Sequence, residues 1–182
     1  LNRVLSAQAV RSGVPTENVT FTYDSATSGN FGKGRLASLT DPTGSATYAY
    51  ERRGLLRQEN RTVQGNAYAL SYAYDGNGNR RQVTYPSGLV VNYTFDFADR
   101  PLSALPASGT AFVTSAKYRP FGPLEQVRYG NGTTKTLDYD NRYRPTLNKL
   151  EKDSPLTTLA HYTLVPDFVG NLTQITDVQN AA

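Results

Sequence analysis

Acidic side chains recur in this sequence where a catalytic role could be imagined. Asp24, Glu51, Asp75, Asp96 and Asp140 each follow a tyrosine or phenylalanine. Two carboxylates flanking a glycosidic bond are the usual machinery of sugar hydrolysis. A catalytic pair, however, is unique within a chain, whereas these acids return once per repeated unit. They are therefore read as turn residues, and neither a catalytic residue nor enzymatic activity is expected. Asp75-Gly76-Asn77-Gly78-Asn79 offers the oxygen ligands of a calcium loop but lacks the later bidentate acid. No metal is expected there, and no cofactor elsewhere. His161 is the only histidine, and without a Ser or Cys triad context it reads as a strand residue beside Tyr162.

The elements that carry these acids are short strands. In Leu70 to Gly88, Leu70, Tyr72 and Tyr74 alternate with Ser71 and Ala73, the period of a half-buried strand. Asp75 to Asn79 is rich in residues that accept positive φ and predicts a turn. Arg81, Val83 and Tyr85, alternating with Arg80, Gln82 and Thr84, predict a second strand, and Pro86-Ser87-Gly88 turns the chain back.

This unit repeats. Its core appears as Phe21-Thr22-Tyr23-Asp24, Tyr48-Ala49-Tyr50-Glu51, Tyr72-Ala73-Tyr74-Asp75, Tyr93-Thr94-Phe95-Asp96 and Leu137-Asp138-Tyr139-Asp140. Ala116-Lys117-Tyr118-Arg119 is a weaker copy with Arg in place of the acid, and Leu164-Val165-Pro166-Asp167 is weaker still. The steps between copies are 27, 24, 21, 23, 21 and 27 residues, which accommodates two strands and two turns per unit. Asp41-Pro42-Thr43-Gly44, Pro86-Ser87-Gly88 and Tyr129-Gly130-Asn131-Gly132 mark the other end of the unit, so two rows of turns are expected with strands between them. Seven units predict about fourteen strands. One helical turn each is conceivable at Ser6 to Arg11 and at Asn148 to Asp153, the latter confined by Pro145 and Pro155.

Composition agrees with an all-β chain. The 182 residues include 13 Tyr, 7 Phe, 15 Gly and 10 Pro, but no Trp, Met or Cys. At 38% hydrophobic the sequence is too apolar for a disordered tail, and no apolar run approaches the roughly 18 residues of a membrane helix. The net charge of +4 is scattered, with Arg52-Arg53 and Arg80-Arg81 its densest pairs. Nucleic-acid binding is not expected, and these Arg are read as covering neighbouring Tyr rings. With no Met and no signal segment, the chain is expected to be a fragment of a longer one.

These residues resemble the YD-repeat, or Rhs-repeat, family, whose units run tyrosine, any residue, tyrosine, aspartate, two variable residues, glycine, then asparagine or arginine and leucine. Tyr72 to Arg80 matches closely, and Gly34-Arg35-Leu36 followed by Asp41 to Gly44 and Tyr48-Ala49-Tyr50 matches how units join. Asp96 to Pro101 and Asp140 to Pro145 are variants with the glycine replaced. The resemblance spans roughly Phe21 to Thr176, so residues 1–20 are expected to form a lead-in and residues 21–182 the repeat domain.

In this family successive hairpins form a long antiparallel sheet that spirals into a hollow shell. Such shells enclose toxic polypeptides in bacterial insecticidal complexes and Rhs polymorphic toxins, and a related one occurs in teneurins. The resemblance implies a secreted or cell-surface bacterial protein. Its partners would be other segments of the same shell, an enclosed toxin polypeptide and delivery-system proteins, with no membrane insertion by this segment. Because identical side chains at one register stack across neighbouring strands, the Tyr and Phe rings are expected to make a continuous ladder. Rhs shells end in an aspartyl self-cleavage region with an Asp-Pro-x-Gly-Leu signature. Here Ser45 follows Asp41-Pro42-Thr43-Gly44, near the chain's start, and a repeat-joining turn is the better reading. The alternative is an adhesion or carbohydrate-binding module in which Tyr72 and Tyr93 stack on a cell-surface glycan, although the absence of Trp weighs against it. Asn-x-Ser/Thr sequons at Asn18, Asn60, Asn92, Asn131 and Asn171 are read as chance matches in a chain rich in Asn and Thr.

Overall fold

The computed structural model describes residues 2–11 and 14–180. Among them there is no helix. Fifteen strands follow in order: β1 Ser6–Arg11, β2 Val14–Tyr23, β3 Leu36–Asp41, β4 Gly44–Tyr50, β5 Leu56–Val63, β6 Asn66–Tyr74, β7 Arg80–Thr84 and β8 Val90–Phe95. Then come β9 Pro101–Pro106, β10 Val113–Tyr118, β11 Leu124–Tyr129, β12 Thr133–Tyr139, β13 Pro145–Asp153, β14 Leu156–Pro166 and β15 Leu172–Asp177. The chain divides into two compact units, residues 1–90 and 91–182. Within each, every strand pairs antiparallel with its neighbours in sequence. Most links are short turns that allow only an antiparallel hairpin, and the longer link between Tyr23 and Leu36 joins a pair of the same kind.

Two local expectations are corrected. Ser6–Arg11 and Asn148–Asp153 are not helical turns; both lie in strands, β1 and β13. Alternating pairing partners outweigh their modest helix propensity, since a lone turn has no amphipathic face to bury. β1 and most of β2 lie ahead of Phe21 and form a hairpin of their own.

The register holds a regularity that the sequence concealed. Wherever a tyrosine core meets the next strand, one residue of the partner is skipped. Tyr23 faces Leu36 while Thr22 faces Ser38, and Tyr74 faces Arg80 while Ala73 faces Gln82. Shifts of the same kind fall at Tyr50, Phe95, Tyr118, Tyr139 and Pro166. Each is a β-bulge, which bends the strand and raises its twist. The bulge also changes faces. Simple alternation places Arg80 opposite the side of Val83; the skipped Arg81 instead puts Arg80 on the tyrosine side, with its guanidinium 4.9 Å from the Tyr72 ring centre.

The expected ring ladder across neighbouring strands is likewise corrected. Tyrosine cores occupy alternate strands, and the strand between presents Leu36, Leu56, Arg80, Leu124 or Pro145 at the facing position. The buried side chains are Ala46, Val83, Val91, Val127 and Ser103. Ala46 alternates with Tyr48 and Tyr50, and Val83 faces Tyr72, so in residues 1–90 the buried contacts lie on the tyrosine face. The opposite face there carries Thr20, Thr22, Ser38, Thr47, Gln58, Ser71, Ala73 and Gln82.

Candidate functional site

The repeated acids sit at the links that follow β2, β4, β6, β8, β12 and β14. At Asp75 the carboxylate accepts the backbone N–H groups of Asn77 at 3.0 Å and Asn79 at 2.9 Å, and the Asn79 side-chain amide at 3.1 Å. Asp96 accepts from Ala98 N–H at 2.9 Å and Arg100 N–H at 3.0 Å, and Asp140 from Arg142 at 2.8 Å and Arg144 at 3.0 Å. Asp167 repeats the arrangement with Val169 and Asn171. An acid suits this place because a short carboxylate reaches the donors that a tight turn leaves over. The residue three after the acid adopts positive φ whether it is Gly78, Gly170, Asp99 or Tyr143. The turn geometry thus survives loss of the glycine.

The electrostatics follow from these bonds. The Arg100 backbone N–H, and then its side chain, hold the Asp96 carboxyl below its ordinary pKa. At Asp140 the Arg144 side chain leads, followed by its N–H. Desolvation pushes Asp75 and Asp167 upward, but bonds from Asn79 and Asn171 outweigh it and both end lowered. Carboxylates held as anions and saturated with donors are turn anchors; none is set up to deliver a proton at neutral pH.

Tyrosine and arginine join successive units. Tyr50 donates its hydroxyl to Leu36 O at 2.8 Å, Tyr74 to Leu56 O at 2.8 Å, Tyr118 to Pro101 O at 2.7 Å and Tyr139 to Leu124 O at 2.9 Å. Burial raises the phenol pKa of Tyr50, Tyr118 and Tyr139, so these groups remain donors. Arginines reach from one turn to the backbone of the next. Arg53 donates to Asp75 O and Gly76 O, Arg100 to Arg119 O, and Arg144 to Asp167 O. The Arg100 guanidinium also lies 4.7 Å over the Tyr118 ring. Sequence reasoning singled out Arg52-Arg53 and Arg80-Arg81 as pairs but missed Arg100 and Arg144. Their signal was an Arg four residues after a repeat acid.

The remaining candidates are dispersed. Asp41 accepts from Thr43 N–H at 2.7 Å, Thr43 Oγ1 at 2.5 Å and Gly44 N–H at 3.0 Å, as a turn residue does. His161 lies in β14 opposite Lys149. Asn18, Asn60 and Asn92 lie in strands, whereas Asn131 and Asn171 lie in turns whose bonds their side chains make. Tyr72 is half-buried beneath Arg80, and Tyr93 lines an apolar cleft of about 220 Å³ with Tyr118, Val113 and Val127.

No family model matches the sequence, and no curated protein matches it. Solved structures do. One is the crystal structure of TcdB2-TccC3-Cdc42, with a TM-score of 0.80 at 12% identity over 94% of this chain and 10% of that one. TcdB2-TccC3 gives 0.71 at 13% identity, covering 97% and 12%. The Tc holotoxin pore of Photorhabdus luminescens, with a mutated TccC3, gives 0.70 at 13%, covering 97% and 11%. The chain spans about a tenth of the length of the chains it matches. By fold it is built as these toxin-complex chains are, from the antiparallel hairpins that the YD-repeat resemblance implied.

Proposed function

We propose that this chain is a stretch of wall in a β-shell that encloses a toxin or effector polypeptide and helps deliver it from a bacterium. The observation that carries this reading is the fold similarity to TcdB2-TccC3 over 94% of the chain. The site chemistry supports it. The acids are spent on their own turns, while the tyrosine hydroxyls and the arginines reach carbonyls of neighbouring units and tie them together. The wall itself performs no catalysis. Its partners are further segments of the same shell, the enclosed polypeptide and delivery proteins, and it works outside the producing cell.

Low-resolution imaging of the full-length parent tests this. A hollow particle with density inside is expected, and a solid particle with no cavity would count against enclosure. Protease treatment of the intact parent gives a second readout, because an enclosed segment survives until the wall is opened by denaturant.

A further inference from the structure

We infer that the turn at Arg119 is a binding site for a carboxylate presented by a polypeptide, either an acidic side chain or a chain terminus. This turn is the one place where the repeat replaces its acid with a cation. It still closes like the others, with Arg119 N–H on Pro123 O at 3.1 Å and Gly122 N–H on Arg119 O at 3.0 Å. Its central peptide, however, is turned over. Positive φ falls at Phe121, two residues after Arg119, whereas the turns begun by Asp75, Asp96, Asp140 and Asp167 put it three residues after the acid. With no carboxylate to hold the Phe121 N–H inward, the type II arrangement becomes open to the chain. Its exposed carbonyl, Pro120 O, accepts the Tyr143 hydroxyl at 2.9 Å.

The flipped turn and its neighbour enclose a cleft of about 410 Å³ lined by Arg119, Pro120, Glu125, Asp140, Asn141 and Tyr143. Arg119 is incompletely used there. Its Nη2 donates to Asp138 at 3.0 Å, but its buried Nε has no hydrogen-bond partner among the described residues. The Nε atoms of Arg100 and Arg144 each donate to their own turn's aspartate, at 2.7 and 2.6 Å. The two acids of the cleft are already matched, Glu125 by Lys117 at 3.2 Å and Asp140 by Arg144 at 2.6 Å. What remains for a ligand is the exposed part of the Arg119 guanidinium beside its Asp138 pair, with the side chain 31% exposed, and the Asn141 amide. A planar guanidinium matches the two oxygens of a carboxylate, which a spherical anion such as chloride cannot do.

The test is a titration of the full chain followed by backbone amide NMR, using sodium acetate against sodium chloride at equal ionic strength. Acetate is expected to shift the amides around 119–125 and 138–144 saturably, while chloride does not. Two short peptides then identify the source: an acidic one with an amidated C-terminus, and a neutral one with a free C-terminal carboxylate. Arg119→Gln is expected to weaken binding about tenfold. Arg119→Asp, which returns the turn to the repeat's own pattern, should fold and abolish binding; Asn141→Ala should weaken it by a smaller factor. Equal responses to acetate and chloride, failure of both peptides, or affinity unchanged in Arg119→Gln would overturn the proposal.

Discussion

The two rows of turns solve the same geometric problem with different chemistry. The row that follows the tyrosine cores is polar and connected. Asp75, Asp96, Asp140 and Asp167 gather backbone N–H groups, and Arg53, Arg100 and Arg144 carry the link to the next turn. The opposite row leans more on backbone, although Asp41 and Asn131 accept from Thr43 and Thr133 in their own turns. At Gln64-Gly65 both residues have positive φ, 48° and 81°, the pattern of a two-residue type I′ hairpin. At Gly44 and Gly130 the chain passes so close to Thr62 O and Ala111 O that a side chain has no room. One row is therefore specified by electrostatics and the other by sterics, and each should fail in its own way.

Acid should produce the largest difference, because it acts on all the carboxylate turns together. The folded-state pKa values of Asp75, Asp96, Asp140 and Asp167 are lowered from 3.8. Groups of this kind contribute stability that is fully present above the unfolded value and is lost as pH falls through the folded one. Melting temperatures followed by circular dichroism should hold steady toward pH ~4 and drop below it. Asp96→Asn and Asp140→Asn should flatten that drop. Asp41 brings a carboxylate into the other row: its pKa is lowered chiefly by the Thr43 hydroxyl and N–H, and Asp41→Asn should flatten the drop as well.

Steric substitutions should reverse the ranking. A Cβ at Gly44 would lie 1.8 Å from Thr62 O, a backbone atom that cannot yield without breaking the β4–β5 pairing. Gly44→Ala should cost about 3 kcal/mol in denaturant unfolding. At Gly78, in the carboxylate row, the nearest atom is a Leu55 methyl at 3.6 Å. Gly78→Ala then costs only the left-handed strain, about 1–2 kcal/mol. Equal costs would show that the two rows are not differently built.

The carboxylate row was largely legible in the sequence because its anchors are side chains. Asp75-Gly76-Asn77-Gly78 announces a turn by residue type, and the recurrence of such runs gave both rows and nearly the right number of strands. The bulge opposite each tyrosine core was not legible. The skipped residues, among them Ala37, Arg57, Arg81 and Glu125, share no property, since the skip belongs to the pairing of two strands. For the same reason simple alternation sets Arg80 on the side opposite Val83, although the reading of Arg80 as cover for a neighbouring Tyr ring holds, and the reach of Tyr74 to Leu56 O across strands has no sign in the sequence. The Arg119 departure was visible as a letter, but its flipped peptide required the backbone.

That cross-strand reach gives a smaller test on the carboxylate side. Tyr74→Phe removes one half-buried hydroxyl bond of 2.8 Å and should cost about 1 kcal/mol. Tyr68, 47% exposed on the same strand, serves as the control, and Tyr68→Phe should change stability by less than about 0.5 kcal/mol.

The smallest effect belongs to the backbone row and has the opposite sign. Gln64 is exposed, its N–H donates to Thr43 O at 2.9 Å, and it occupies the left-handed region at φ 48°. Asn enters that region several times more readily than Gln, and Asn-Gly is the preferred type I′ pair. Gln64→Asn keeps the Thr43 bond and should raise stability by about 0.5 kcal/mol, measured as a shift in denaturant midpoint at constant slope. A Gln64→Asn variant no more stable than the parent would mean that packing around the tip, rather than local backbone preference, holds this row in shape.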